Sequence, residues 1–255
     1  MKAAALPAGR APAVLVFSGL DPSGGAGIAA DLLAIAAQGA HALPVVTALT
    51  VQDQNRCYAV EPVDSALIAR QGAALIAAFD IGAVKIGIPG NRANAEAIAL
   101  LIAKLRARDP ALPVVLDPVL ASGRGDALAQ GDALAALAPL LALATLATPN
   151  LAEASSLGAQ PCPNLLVTGG HADGLEVINR WRADDGAVRA WRWPRLPGEF
   201  HGSGCTLAAA IAAHLALGVG MEQALTLAQS YTHHTLARAF AFGPGQRIPR
   251  RFLLA

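Results

Sequence analysis

Short apolar runs alternate with Ala/Leu-rich stretches along the 255-residue chain, and this alternation narrows the possible folds more than any other feature. Runs at Val14–Phe17, Pro44–Gln52, Ala83–Ile88, Val114–Leu116, Leu143–Ala147 and Asn164–Thr168 have the length and apolarity of buried strands. Helical stretches are expected at Ala29–Gln38, Ser65–Phe79, Asn91–Arg108, Ala127–Leu137, after Pro149, after Gly202 and over Met221–Ala239. Glu176–Trp181 and Ala187–Trp193 around Asp184-Asp185-Gly186 read as an antiparallel pair. The pattern predicts an α/β, three-layer fold with a mainly parallel central sheet and helices on both faces. Ligand turns then fall together at the carboxyl ends of the strands. With no internal repeat or linker, residues 1–13 read as a loose tail and 14–255 as a single domain.

Composition excludes several classes. Apolar residues make up 54% and charged residues 15%, which is incompatible with disorder. A net charge of +1 leaves no electrostatic footprint for nucleic acid, so a small-molecule partner is expected. The three separated cysteines (Cys57, Cys162, Cys205) make neither a disulfide framework nor a zinc pattern, which suits a reducing, cytoplasmic setting. Leu134–Ala147, the most apolar stretch, is too short to span a bilayer and contains Pro139.

The turns carry the chemistry. In Phe200–Gly218, Gly202-Ser203-Gly204-Cys205 leads straight into helical sequence. Unpaired N–H groups and the helix dipole make such a start an anion site, suited to a phosphoryl group. Ser203 could cap this helix, and Cys205 at its mouth is expected to have a lowered thiol pKa. Another glycine-rich turn, Ser18–Ile28, follows the first strand, yet matches neither a Walker A loop nor a dinucleotide fingerprint. Gln52, at the end of its strand, can donate to and accept from an amino-heterocycle, while Asp53, Gln54 and Asn55 read as a solvated turn. Lys85, inside an apolar strand, requires a paired carboxylate or phosphate and reads as half of a buried ion pair. Asp117, after Val114–Leu116, is placed to hold Mg²⁺ with its waters, and Arg124 in the following Gly-rich run to reach phosphates. Asn150 and Glu153 form a capping-box pattern and would also lie on one face, able to orient a metal's water shell.

Gly19-x-Asp21-Pro-Ser-Gly-Gly-Ala-Gly-Ile28, Thr47-Ala-Leu, Lys85-Ile-Gly87, Asp117-Pro-Val119, Thr148-Pro-Asn-x-x-Glu153, Gly169-Gly-His171 and His201-Gly-Ser-Gly-Cys-Thr206 occur in this order. With them the chain resembles, over about residues 14–240, the hydroxymethylpyrimidine/phosphomethylpyrimidine kinases of thiamine biosynthesis, in the ribokinase-like superfamily. The resemblance implies ATP- and Mg²⁺-dependent phosphorylation of 4-amino-5-hydroxymethyl-2-methylpyrimidine and then of its monophosphate, by a homodimer. It implies that Gly19, Asp31 and Gln52 line the pyrimidine site, with Ile88 and Val119 packing on its apolar parts. Asp117, Asn150 and Glu153 would serve Mg²⁺ and the phosphates, Gly202–Cys205 would be the anion hole, and Cys205 would stand where most of the superfamily has an Asp base. Relatives usually carry Lys just before Gly-Gly-His, where this chain has Thr168, and another helix where it has only the 14 residues between Glu153 and Thr168. Both departures fall on the ATP side. Two other functions compete: a pyridoxal kinase, and a non-catalytic pyrimidine-binding protein with an impaired ATP site.

Overall fold

The computed structural model describes residues 12–121, 126, 128, 132–158 and 162–252. Nine strands among them form one sheet: β1 (Ala13–Leu20), β2 (His41–Gln52), β3 (Cys57–Pro62), β4 (Ile81–Ile86), β5 (Val114–Leu116), β6 (Leu146–Ala147), β7 (Asn164–Val167), β8 (Glu176–Arg182) and β9 (Val188–Pro194). Their order is β3-β2-β1-β4-β5-β6-β7-β8-β9. Pairing is parallel from β2 through β7 and antiparallel at both edges.

Strand periodicity sorts the core into two layers. Leu15 and Phe17 of β1, Val84 and Ile86 of β4, and Val114 and Leu116 of β5 pack against α2 (Ser65–Ala78), α3 (Arg92–Arg106) and α4 (Ala133–Leu141). The alternate residues Val14, Val16, Ala83 and Val115 pack against α1 (Gly27–Ala37), α6 (Ser203–Ala216) and α7 (Met221–Ala237). In α6, Thr206–Ala213 are all buried, and their small side chains let the helix lie close on the sheet. Asp64 caps α2 and Asn91 caps α3, each accepting a hydrogen bond from a first-turn amide.

The structure departs from the sequence expectations at four places. The helix placed at Ala127–Leu137 is α4, over Ala133–Leu141; Asp132 caps it, and Asp126 and Leu128 lie outside it. Pro139 sits inside α4 at a cost of about 3 kcal/mol. Burial of Leu137, Leu140 and Leu141, at about 1.5–3 kcal/mol each, outweighs that cost. β3 was not anticipated. It forms because the Asp53 carboxylate accepts from the Asn55 and Arg56 amides and turns the chain back on β2. Asn55 is not simply solvated: its Oδ1 accepts from the Gln246 amide and its Nδ2 donates to Pro244 O. Of the expected tail, residues 1–11 lie outside the described residues, and Ala13 already belongs to β1.

Candidate active site

A cleft of about 460 Å³ runs along the carboxyl ends of the parallel strands. Gly19 and Asp21 come from the end of β1, Gln52 from β2, Ile88 from beyond β4, and Asp117 and Val119 from beyond β5. Asn150, Glu153 and Thr168 enter after β6 and β7, and Gly202–Cys205 close the inner wall at the start of α6. A parallel sheet gathers these turns because every crossover returns the chain to the same edge.

Gly202 is the N-cap of α6, in the left-handed region at φ 79°. A side chain there would collide with the Gly25 carbonyl, so only glycine fits. Ser203 is therefore not the cap but the first helical residue, and α6 has no side-chain cap. The first helical bond runs from Thr206 N–H to Gly202 O, at 3.0 Å. The amides of Ser203, Gly204 and Cys205 precede that bond, at the positive end of the helix dipole and on the cleft wall. This is the geometry of an anion hole.

Cys205 departs from expectation. Part of its surface opens on the cleft, but the thiol is enclosed among protein groups, near the Asp117 carboxylate and the Gly27 amide. Burial pushes the thiol up to about 12, with Lys85 opposing and the Asp117 and Asp31 carboxylates adding to the rise. The dipole that lowers an exposed thiol is overridden by desolvation and two nearby carboxylates. Cys205 is a thiol at neutral pH.

Lys85 and Asp31 form the buried pair that the sequence required. The ammonium lies 2.8 Å from Asp31 Oδ2, with both side chains fully buried. Burial alone would pull Lys85 down, but the neighbouring acidic groups, Asp31 first among them and then Asp117, together outweigh it and hold the ammonium charged. Burial also raises Asp31, against the pull of Lys85. The place expected for Asp31 beside the pyrimidine is thereby corrected. Asp31 lies behind the cleft wall, fully buried, with Lys85 as its hydrogen-bond partner.

Asp117 and Glu153 form the acidic centre. Asp117 is buried, and its Oδ2 has no hydrogen-bond partner. That carboxylate lies against Gly204 at the start of α6. Burial raises Asp117 to about 6. Burial, then repulsion from Asp117, raises Glu153 to about 7. Two neighbouring buried carboxylates, Glu153 raised by Asp117 and Asp117 with an orphaned oxygen, fit a hard divalent cation. No group of three or more metal-ligating side chains occurs among the described residues, so such an ion would complete its shell with water or phosphate oxygens.

Asn150 and Glu153 do form the capping box: Glu153 N donates to Asn150 Oδ1 at 2.9 Å and Asn150 N donates to Glu153 Oε2 at 2.8 Å, opening α5 (Leu151–Leu157). The same bonds fix the Glu153 carboxylate beside Asp117, so the capping and site readings coexist. Thr168 lines the cleft and leans on Pro149 O. Arg124 lies outside the described residues; Asp126, two positions on, accepts from Arg56 Nη2 and Cys57 N of the β2–β3 hairpin.

Sequence reasoning assigned no role to several residues found here. Asp21 is buried, accepts from the Ser23 and Ala26 amides, and lies 2.7 Å from His201 Nε2, joining the two glycine turns. At the opposite end, Trp193 stacks on His233 with ring centroids 5.2 Å apart. Gln229 Oε1 there accepts from Asn179 Nδ2 and Trp193 Nε1. The order of motifs pointed to Asp21 and His201; nothing local pointed to Trp193, His233 or Gln229.

Comparison with known proteins places this architecture. The ADP complex of Bacillus subtilis pyridoxal kinase superposes with a TM-score of 0.82, covering 94% of this chain and 97% of that one, at 24% identity. The fold is therefore the ribokinase-like fold of that kinase. A model of the phosphomethylpyrimidine kinase family matches residues 21–249, and the chain belongs to that family. The hydroxymethylpyrimidine/phosphomethylpyrimidine kinase of Rhizobium meliloti is 36% identical over 252 residues, covering 91% of this chain and 93% of that protein. A Clostridium difficile phosphomethylpyrimidine kinase structure superposes with a TM-score of 0.73 at 28% identity, covering 88% and 98%. Among the described residues, no helix is long and apolar enough to cross a membrane.

Proposed function

We propose that this protein transfers phosphoryl groups from ATP to the hydroxymethyl group of 4-amino-5-hydroxymethyl-2-methylpyrimidine and then to the phosphate of the product, in thiamine biosynthesis. The observation that carries the reading is one cleft in which the free amides opening α6 face an acidic centre, Asp117 and Glu153. Family membership supplies the acceptor.

Gln52 hydrogen-bonds the amino-pyrimidine edge, Gly19 lets the ring approach the backbone, and Ile88 and Val119 cover its apolar faces. The acceptor oxygen then points at Gly202–Cys205. Phosphoryl transfer needs in-line positioning and charge stabilisation more than covalent help. The Ser203, Gly204 and Cys205 amides stabilise charge on the transferring group, the term that usually dominates. Asp117 and Glu153 would hold Mg²⁺. When bound, Mg²⁺ neutralises phosphate charge. Asn150 and Thr168 contact donor phosphates, and the Trp193–His233 end receives the nucleotide base. Because Cys205 is a thiol, it serves at the acceptor oxygen as a hydrogen-bonding group rather than a ready base, and the hydroxyl loses its proton late.

The test is coupled ATP turnover with the hydroxymethylpyrimidine and Mg²⁺, with pyridoxal as a parallel acceptor. Turnover with the pyrimidine at higher kcat/KM supports the reading. Preference for pyridoxal, or pyrimidine binding by calorimetry without turnover, refutes it. Cys205→Ala should lose less than the roughly 10²–10⁴-fold that general-base catalysis supplies.

A further inference from the structure

Arg251 lies just beyond the segment that the family model matches. Its side chain is buried, yet among the described residues no carboxylate pairs with it. A buried guanidinium must hydrogen-bond to be tolerated, and Arg251 does so almost wholly with the two glycine turns of the cleft. Its Nη2 donates to Gly25 O at 2.5 Å and to Gly202 O at 3.3 Å, its Nη1 to Gly24 O at 3.5 Å, and its Nε to Thr206 Oγ1 at 2.9 Å. The segment bearing it is pinned to α7: Tyr231 OH donates to Arg251 O, and Arg250 N–H donates to Thr235 O.

In a trans peptide the carbonyl of one residue and the N–H of the next point in opposite directions. Gly202 O is held from behind by Thr206 N–H at 3.0 Å, Thr206 Oγ1 at 2.7 Å and Arg251 Nη2. The Ser203 amide is therefore turned away from Arg251, on the side where Gly202 and Ser203 line the cleft. The same holds for Gly25 O and the Ala26 amide, which donates to Asp21 Oδ2 at 2.8 Å. Gly202, at φ 79°, has access to backbone states closed to other residues, so its peptide needs such a restraint.

We infer that Arg251 is a positioning residue for phosphoryl transfer: its guanidinium, fixed in plane by Nε on Thr206 and Nη1 on Gly24 O, holds Gly25 O and Gly202 O through Nη2 and so aims the Ser203 amide into the anion hole. This inference rests on the phosphotransfer reading of the cleft. A lysine cannot replace it, because one ammonium does not reach Gly24 O and Thr206 Oγ1 as well as the two carbonyls, which the guanidinium meets in a fixed plane through Nη1, Nε and Nη2.

The test compares Arg251→Ala and Arg251→Lys with wild type in kcat, KM for the pyrimidine, melting temperature and folded fraction, with and without ~10 mM methylguanidinium, a level set for rescue of one lost guanidinium. Misaimed hole donors should lower kcat per folded molecule about 10- to 100-fold. KM for the pyrimidine should stay within about twofold, since ground-state contacts are kept. Methylguanidinium should restore part of the loss in Arg251→Ala only. A kcat per folded molecule unchanged in both variants, or a loss that follows melting temperature and resists rescue, overturns the inference. If Arg251→Ala does not fold, Arg251→Lys decides on the same kcat criterion. Backbone NMR of Ser203 and Ala26 in Arg251→Lys separates the two readings if wild type shows no turnover: shifted amides uphold the clamp though the kinase reading fails, and unshifted amides overturn the clamp.

Discussion

Removing Lys85 while leaving Asp31 should be among the most damaging single changes available outside the cleft wall. The pair is fully buried with 2.8 Å between charges. At an effective dielectric of about 20 its gross attraction is about 6 kcal/mol. Desolvation of two ions takes back most of that, so the intact pair is worth little against an apolar substitute. Breaking it is different: Asp31 Oδ1 already has no partner, and Lys85→Met would strand Oδ2 as well. The expected cost is about 3–5 kcal/mol. For a chain of this size each kcal/mol moves Tm by roughly 2–4 °C, so Tm should fall by about 6–20 °C. Urea titration and calorimetry of Lys85→Met, Asp31→Val and the double variant measure this. The double variant should recover most of the loss, because neither charge is then left alone. A Lys85→Met protein within about 1 kcal/mol of wild type, or a double variant no better than Lys85→Met, would refute the argument.

Three further outcomes are expected. Gly202→Ala forces a left-handed residue against the Gly25 carbonyl, so stability should fall by about 1–3 kcal/mol and turnover by more than about 10²-fold, read by calorimetry and coupled assay. Asp117→Asn removes charge from the acidic centre; kcat should fall about 10²–10³-fold and the Mg²⁺ concentration for half-activity should rise, which a Mg²⁺ titration at saturating ATP would reveal. Burial works to raise Asp21, but hydrogen bonds from His201 and Ser23 override it and hold the carboxylate below 3.8. Its contribution is thus fully present above pH 3.8 and is lost as pH falls through the lowered folded value. Asp21→Asn should flatten the acid limb of Tm against pH, and an unchanged limb would contradict this.

Much of the site was legible because each piece is local. The helix start at Gly202–Cys205, the Asn150/Glu153 box and the placement of Gln52 and Asp117 after strands need only neighbouring residues and a count of crossovers. What could not be read were properties set across the fold. Cys205 has the helix start that would lower its pKa, yet burial and the Asp117 and Asp31 carboxylates reverse the direction. Asp31, in sequence merely a polar residue in an apolar helix, has its partner 54 positions away.

From its sequence alone the chain is an α/β protein whose glycine-rich and acidic turns meet at one edge of a parallel sheet, because periodicity and turn chemistry act over a few residues. Only the tertiary structure decides which charges face each other and in what dielectric. Lys85 meets Asp31, Asp117 keeps an orphaned oxygen beside Gly204, and Arg251 reaches back 226 positions to Gly25. Electrostatic energies depend on distance and burial, and neither is written in the order of the residues.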